Sequence, residues 1–265
     1  MEPHEARIPY RRCPLCEAES FVEEKIGDCR HHPLYKPEIP PQIRWMRCLS
    51  CAHVFVDGYL SDPALSAIFA SVMPNQRPGW DLYGSRAVSA RMVEKVTAVI
   101  GEGRGRWLDV GFGNGALLAT AGEYGFDPVG LDMRKENVEL MNRYGIEAHA
   151  LELTDFNPAE KMTVISMADV LEHIPFPKTA LTHARQIIAG DGLLFVSMPN
   201  ADSFVWKRLD EMGQNPYWGE LEHLHNFGRK RLYALLEEHG FRAVKYGISE
   251  RYYMCMEVLA RPIPR

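Results

Sequence analysis

From Arg106 onward, short apolar runs alternate with helical stretches, and two close pairs of cysteines stand ahead of them. Together these predict an α/β chain: a seven-stranded, mostly parallel sheet with helices on both faces, preceded by a small amino-terminal metal-binding ribbon. A chain of 265 residues that is 46% hydrophobic has enough apolar surface for one such domain and an appendage.

The ribbon rests on Cys13-Pro-Leu-Cys16 and Cys48-Leu-Ser-Cys51. A two-residue gap lets both sulfurs of a knuckle face one ion, and two matched knuckles supply four thiolates. Four thiolates close a tetrahedron and leave no position for water, so the expected ion is a structural zinc on Cys13, Cys16, Cys48 and Cys51. The long interval between the knuckles is tolerable because loop-closure entropy grows slowly with length. Ile43–Arg47 and Ala52–Val56 read as strands flanking the second knuckle. Cys29, His31 and His32 compete as ligands, with an ordinary polar loop as the simpler reading. Cys255 reads as a core residue. The ribbon is placed at residues 1–58.

Residues 59–84 read as a linker and lid with one short helix near Leu65–Phe69. Val88, Met92, Val93, Val96 and Val99 then recur at helical spacing, predicting a helix over Arg86–Ile100 that Gly101 ends. The seven expected strands are Arg106–Val110, Pro128–Leu131, Glu147–Ala150, Thr163–Met167, Leu193–Ser197, Arg242–Ile248 and Tyr252–Leu259. Only Ser249-Glu-Arg251 separates the last two, so they read as a closing hairpin with one antiparallel strand near the sheet edge.

Composition excludes several classes of function. No apolar run approaches the roughly 18 residues of a membrane span, and the first residues lack the apolar core of a signal peptide, so a cytoplasmic protein with reduced thiols is expected. The formal net charge is -5, and the first 58 residues hold eight Lys and Arg against nine Asp and Glu. Without a basic excess, a nucleic-acid partner is not expected. Oligomeric state leaves no mark in the sequence.

Trp107-Leu-Asp-Val-Gly-Phe-Gly-Asn-Gly115 sets Gly111, Gly113 and Gly115 at the turn after the first strand of this Rossmann-like sheet, where a ligand can approach bare backbone. Gly111, Gly113 and Ala116 also satisfy the dinucleotide fingerprint, so the neighbours must decide. Asp109 would repel a pyrophosphate but can serve the cationic amino-acid end of S-adenosylmethionine. Asp132, at the end of the second strand, can accept bonds from both ribose hydroxyls of an adenosine.

Asp109-Val-Gly-Phe-Gly-Asn-Gly115 and Asp169-Val-Leu-Glu-His-Ile-Pro175 resemble motifs of the class I S-adenosylmethionine-dependent methyltransferases, including the ubiquinone-pathway enzymes. The resemblance covers about Ser85 to Ala260 and implies an 85–265 methyltransferase domain that uses S-adenosylmethionine. It further implies that Met133 packs on the adenine side of Asp132, that Glu152 and Leu153 meet the adenine edge and face, and that Ala168 and Asp169 lie near the methionine portion. Trp80 and Tyr83 stand where such enzymes lay a lid over the cofactor. Tyr83 is counted with the cofactor-side residues and is also suited to orient an acceptor hydroxyl, whereas Trp80 reads as packing. Two positions depart from the family pattern: Phe112 replaces a small residue or Cys, and Thr163 replaces a frequent Asp.

Methyl transfer needs a positioned acceptor and, for many acceptors, a general base. His173 follows the fourth strand on the ligand-binding edge and suits that role; capping the turn before Pro175 is the competing reading. Pro199-Asn200 opens an acceptor-side insertion at about 200–227, rich in aromatics and suited to covering an acceptor. Within it Glu222-His223 is similar to zinc-ribbon-bearing deoxysugar C-methyltransferases, in which this Glu and His, with a His like His173, are implicated in deprotonating a carbon beside a ketone. His223 and His225 read equally well as pins for the insertion. Those enzymes usually carry a further carboxy-terminal domain, so the acceptor here can differ. The expected function is methyl transfer to a small molecule such as a nucleotide-linked sugar, another saccharide or a natural-product intermediate. The alternatives are RNA base methylation and non-catalytic binding of S-adenosylmethionine.

Overall fold

The computed structural model describes residues 7–69 and 74–264. Residues 1–6, on which the signal-peptide expectation falls, and 70–73 of the expected linker lie outside the described residues. The chain forms two compact units, one of residues 72–171, 179–198 and 236–265, the other of residues 1–71, 172–178 and 199–235.

The first unit is built on β1 (Arg106–Val110), β2 (Asp127–Leu131), β3 (Glu147–His149), β4 (Met162–Ala168), β5 (Ile188–Pro199), β6 (Phe241–Ile248) and β7 (Cys255–Pro262). They form one sheet in the order β6-β7-β5-β4-β1-β2-β3. Every adjacent pair from β5 to β3 is parallel, and β6 at the edge runs antiparallel to β7. This is the predicted Rossmann-like α/β sheet. Its central strands are buried on both faces, which explains why they read as continuous apolar runs without alternation.

Trp107 anchors the core beneath the sheet: it is fully buried, meets Phe126 edge to face at 4.9 Å, and clusters with Met92, Val93 and Val96 of the helix Leu82–Ile100. That helix begins four residues before the expected Arg86 because the Asp81 carboxylate accepts from the Gly84 N–H at 3.1 Å, a cap worth about 1 kcal/mol. It ends as expected at Gly101, whose φ is 88°.

Two strand boundaries differ for local reasons. β5 is longer at both ends than Leu193–Ser197, with an irregular register between Ile188 and Leu193. β7 starts at Cys255 because Ser249 Oγ accepts from the N–H groups of Arg251 and Tyr252 at 3.2 and 3.3 Å. The hairpin connection therefore runs over residues 249–254.

In the second unit, Phe21–Asp28, Gln42–Cys48 and Val54–Val56 form antiparallel ribbon strands, and Arg7–Pro9 pairs with Gly58–Leu60. The ribbon sheet gains a fourth strand that sequence reasoning did not foresee. His225–Asn226, from the aromatic-rich segment after β5, adds to the edge of Val54–Val56. Trp218 of the same segment packs edge to face on Trp45 at 5.6 Å, and the Trp45 indole N–H donates to its carbonyl at 2.9 Å. Gly27 is needed there, since a Cβ at that position would lie 1.7 Å from the Trp218 oxygen. Among the described residues, no helix is long and apolar enough to cross a membrane.

Candidate active site

In the sheet unit the site starts at the turn after β1. Gly111, Gly113 and Gly115 have φ of 67°, 55° and 74°, in the left-handed region that side chains resist. A Cβ at Gly115 would meet the Met141 sulfur at 2.6 Å, whereas one at Gly113 would touch only the Gly111 carbonyl oxygen, at 4.0 Å. The φ of 74° favours glycine at 115 whatever the Met141 side chain does, and Gly113 leaves a backbone surface that a ligand can approach. Phe112, the departure from the family pattern, is buried against Leu118, Val138 and Met141. Its room comes from Gly130 on β2, where a Cβ would lie 2.5 Å from the ring.

Asp109 is buried at the carboxyl end of β1. The Trp107 indole donates to Ser166 Oγ at 2.8 Å, and the Ser166 hydroxyl donates to Asp109 Oδ1 at 2.6 Å. Burial pushes the Asp109 carboxyl up to about 7, a rise that the Ser166 hydrogen bond and nearby Arg251 restrain. Asp132, at the end of β2, is also buried. Its Oδ1 accepts from the Arg134 N–H at 2.9 Å and its Oδ2 lies 3.6 Å from the Arg134 guanidinium. Burial raises this carboxyl too, against the pull of Arg134. β1 and β2 are neighbours, so the two carboxylates flank the glycine turn.

The remaining cofactor-side candidates fall around the same sheet edge. Met133 follows Asp132 and is exposed, Glu152 is exposed, and Leu153 is buried in the short turn Leu153–Asp155. Ala168 ends β4 and is half-buried. Asp169 has φ 56°, unusual for a residue with a Cβ, while its N–H donates to the Ser197 carbonyl at 2.8 Å. Tyr83 is 96% exposed. Its helix is tied to the glycine turn by Asn114, whose Nδ2 donates to the Trp80 carbonyl at 3.2 Å and to Ser85 Oγ at 3.3 Å. Arg251, which sequence reasoning passed over as a hairpin residue, forms an ion pair with Asp169. Its turn context concealed it, because the partner lies 82 positions away.

The catalytic candidates belong to the ribbon-bearing unit. Glu172, His173 and His223 each bring one potential ligand atom within 4.8 Å of the others, and the two imidazoles meet edge to face at 4.7 Å. His173 Nδ1 lies 3.0 Å from the Glu222 carbonyl. A carbonyl only accepts, so Nδ1 carries the hydrogen and Nε2 presents the basic lone pair. Burial, then His173 and His32, holds the His223 imidazole well below its usual range. Glu222 enters through its backbone. His225 donates from Nε2 to the Ile174 carbonyl at 2.9 Å, and its Nδ1 accepts from His53 Nε2 at 3.0 Å. Burial brings His225 down to about 4 and depresses His53, so this pair is neutral near pH 7.

The four knuckle cysteines come together, with Cys13 and Cys51 sulfurs 3.7 Å apart and Cys16 and Cys48 sulfurs 3.5 Å apart. A tetrahedron with metal–sulfur bonds of about 2.3 Å has edges of about 3.8 Å, so the set fits one zinc-sized ion. The two knuckles repeat one turn: Glu17 and Ala52 both have positive φ, and their N–H groups donate to the carbonyls of Cys13 and Cys48. The left-handed Ala52 explains why the following strand starts at Val54 and not at Ala52. Cys29 stands apart, donating weakly to the Pro40 and Pro41 carbonyls, and His32 pairs with Glu220 at 3.1 Å.

The parallel sheet, the glycine turn and the paired buried carboxylates define an α/β protein of the class I methyltransferase fold. Residues 85–246 match the family described as "Methyltransferase domain", and the chain belongs to that family. Its sequence is 31% identical over 105 residues to a ubiquinone biosynthesis O-methyltransferase of Haemophilus ducreyi, covering 35% of this chain and 44% of that protein. The chain thus spans less than half the length of that curated relative. Its fold is similar to 1,6-didemethyltoxoflavin-N1-methyltransferase of Burkholderia thailandensis, with a TM-score of 0.58, 18% identity, and coverage of 82% of this chain and 98% of that one. Magnesium protoporphyrin IX methyltransferase of Synechocystis gives a TM-score of 0.55 at 16% identity, over 68% of this chain and 84% of that one.

The raised Asp109 carboxyl sets a pH dependence. A carboxyl raised by folding makes the unligated protein lose stability as pH rises from about 4, the unfolded value, through about 7. Ligation of an ammonium by the ionised form works in the opposite sense. Affinity for S-adenosylhomocysteine is expected to increase with pH up to about 7 and then level off, by at most about tenfold per unit. In Ser166→Ala, which lacks the restraining hydrogen bond, the levelling point moves to higher pH; calorimetry across pH 5.5–8.5 checks both.

Proposed function

We propose that this protein transfers a methyl group from S-adenosylmethionine to a small-molecule acceptor. The observation that carries the reading is the pair of buried carboxylates, Asp109 and Asp132, at the ends of adjacent strands beside a glycine turn with open backbone. Asp132 suits the ribose hydroxyls and Asp109 the ammonium of the methionine portion. Met133, Leu153 and Glu152 supply two apolar surfaces and a polar edge for adenine, and Tyr83 belongs to the segment tied to the turn. When bound, the cofactor supplies a sulfonium methyl as the electrophile.

His173 is assigned the general base, taking the acceptor's proton on Nε2 while the Glu222 carbonyl holds Nδ1–H and so fixes the tautomer. His223, kept neutral by burial, orients that imidazole through its edge-to-face contact. The acceptor class is a nucleotide-linked sugar, another saccharide or a related natural-product intermediate, in keeping with the aromatic-rich segment after β5. The four cysteines are assigned a structural zinc that holds the ribbon's two knuckles together.

Calorimetric titration with S-adenosylhomocysteine and NAD in parallel tests the donor: the thioether should bind and NAD should not, and NAD binding alone would overturn the reading. His173→Ala should keep its affinity for S-adenosylhomocysteine within about twofold and lose about 100-fold or more in turnover, measured as S-adenosylhomocysteine release in a screen of nucleotide-linked sugars. Retained turnover would return His173 to a turn-capping role. Elemental analysis should find one zinc per chain, and Cys48→Ser should lower that content and the melting temperature together; full zinc occupancy in the variant would show that the ligands are others.

A further inference from the structure

The connection between β6 and β7 holds a charged side chain in a defined place. Ser249 Oγ accepts from the N–H groups of Arg251 and Tyr252, and Glu250 pairs with Arg91 on the helix Leu82–Ile100. With the loop pinned on both counts, Arg251 is directed to Asp169, with which its guanidinium forms an ion pair, and lies 5.2 Å from the Tyr252 ring centroid. Asp169 is itself constrained: its backbone is left-handed, with φ 56°, and Ser197 Oγ donates to its Oδ1 at 3.3 Å.

This end of β1 and β4 carries the carboxyl groups of Asp109 and Asp169 together with the Arg251 guanidinium, which pairs with Asp169 and whose field reaches Asp109. The methionine end of an adenosyl cofactor carries an ammonium and a carboxylate on one carbon. Carboxylates alone would attract the first and repel the second; a carboxylate and a guanidinium side by side match the zwitterion. Arg134, the neighbouring guanidinium at this edge, is committed to Asp132 on the ribose side.

We propose that Arg251, held by its ion pair with Asp169 in the unligated protein, turns its planar fork to the α-carboxylate of the cofactor's methionine portion when the cofactor is bound. The inference rests on the assignment of this edge to an adenosyl cofactor. On binding, the incoming ammonium replaces Arg251 as the counter-ion of Asp169 and Asp109, and the guanidinium turns to the carboxylate, for which its paired N–H groups suit a two-point contact. Arg251 and Asp169 are partners of each other in the unligated protein, and each takes one group of the zwitterion as its partner when the cofactor is bound, so neither charge is left unpaired in either state.

The test is calorimetric binding of three ligands to the wild-type protein, Arg251→Gln and Arg251→Lys: S-adenosylhomocysteine, its decarboxylated analogue that keeps the amine, and 5′-methylthioadenosine, which lacks both groups. Arg251→Gln should weaken S-adenosylhomocysteine about 10- to 100-fold while leaving the other two within about twofold, and Arg251→Lys should recover part of the loss. Unchanged affinity for S-adenosylhomocysteine, or equal weakening of all three ligands, would overturn the proposal, the latter by showing a structural role for the hairpin. Failure of the cofactor assignment has a different signature: the wild-type protein would bind none of the three.

Discussion

A carboxylate at the end of a buried parallel strand is costly, and the sheet unit is arranged around tolerating one at Asp109. Burial favours the neutral acid, and only a chain of hydrogen bonds from Trp107 through Ser166, with the field of Arg251, restrains that tendency. Trp107 also belongs to the core cluster that packs Met92, Val93 and Val96. The same residue therefore sets the packing of the helix Leu82–Ile100 and the orientation of the acid at the cofactor edge. A buried acid with a pKa near neutrality is poised to gain from a cationic ligand, since the ligand supplies the partner that folding withheld.

The ribbon-bearing unit solves a different problem, holding short loops in place with little regular structure. Its two knuckles use one turn twice, each with a left-handed residue just after the second cysteine. Beyond them, His53 donates to His225, and His225 donates to the Ile174 carbonyl next to His173. Tyr10 adds a hydrogen bond to the following carbonyl, that of Pro175, at 2.8 Å. Neutral imidazoles can form such a chain only with defined tautomers, and burial keeps both neutral. The candidate base ends a single 3-10 turn, Leu171–His173, and the carbonyls that follow it are held by the side chains of His225 and Tyr10.

Much of this was legible in the sequence because it is local. Strand periodicity located the seven strands of the sheet to within a few residues at most ends, and the glycines at 111, 113 and 115 announced a turn that requires positive φ. Asp109 and Asp132 could be singled out because a strand's last residues on the ligand-binding edge follow from strand order alone. The cysteine pairs were legible for the same reason, since the knuckle is a short-range motif.

What the sequence by itself determined is the alternation that makes the α/β sheet, the turn chemistry and the ligand-type residues, each written within a few consecutive positions. Tertiary structure alone decided the rest. The strand His225–Asn226 completes the ribbon's sheet from some 170 positions away, the room for Phe112 comes from the missing side chain of Gly130 on the next strand, and Arg251 meets Asp169 across 82 positions. No periodicity or spacing encodes such pairings, because they depend on where the folded backbone closes its loops and which buried charges then lie within reach of each other.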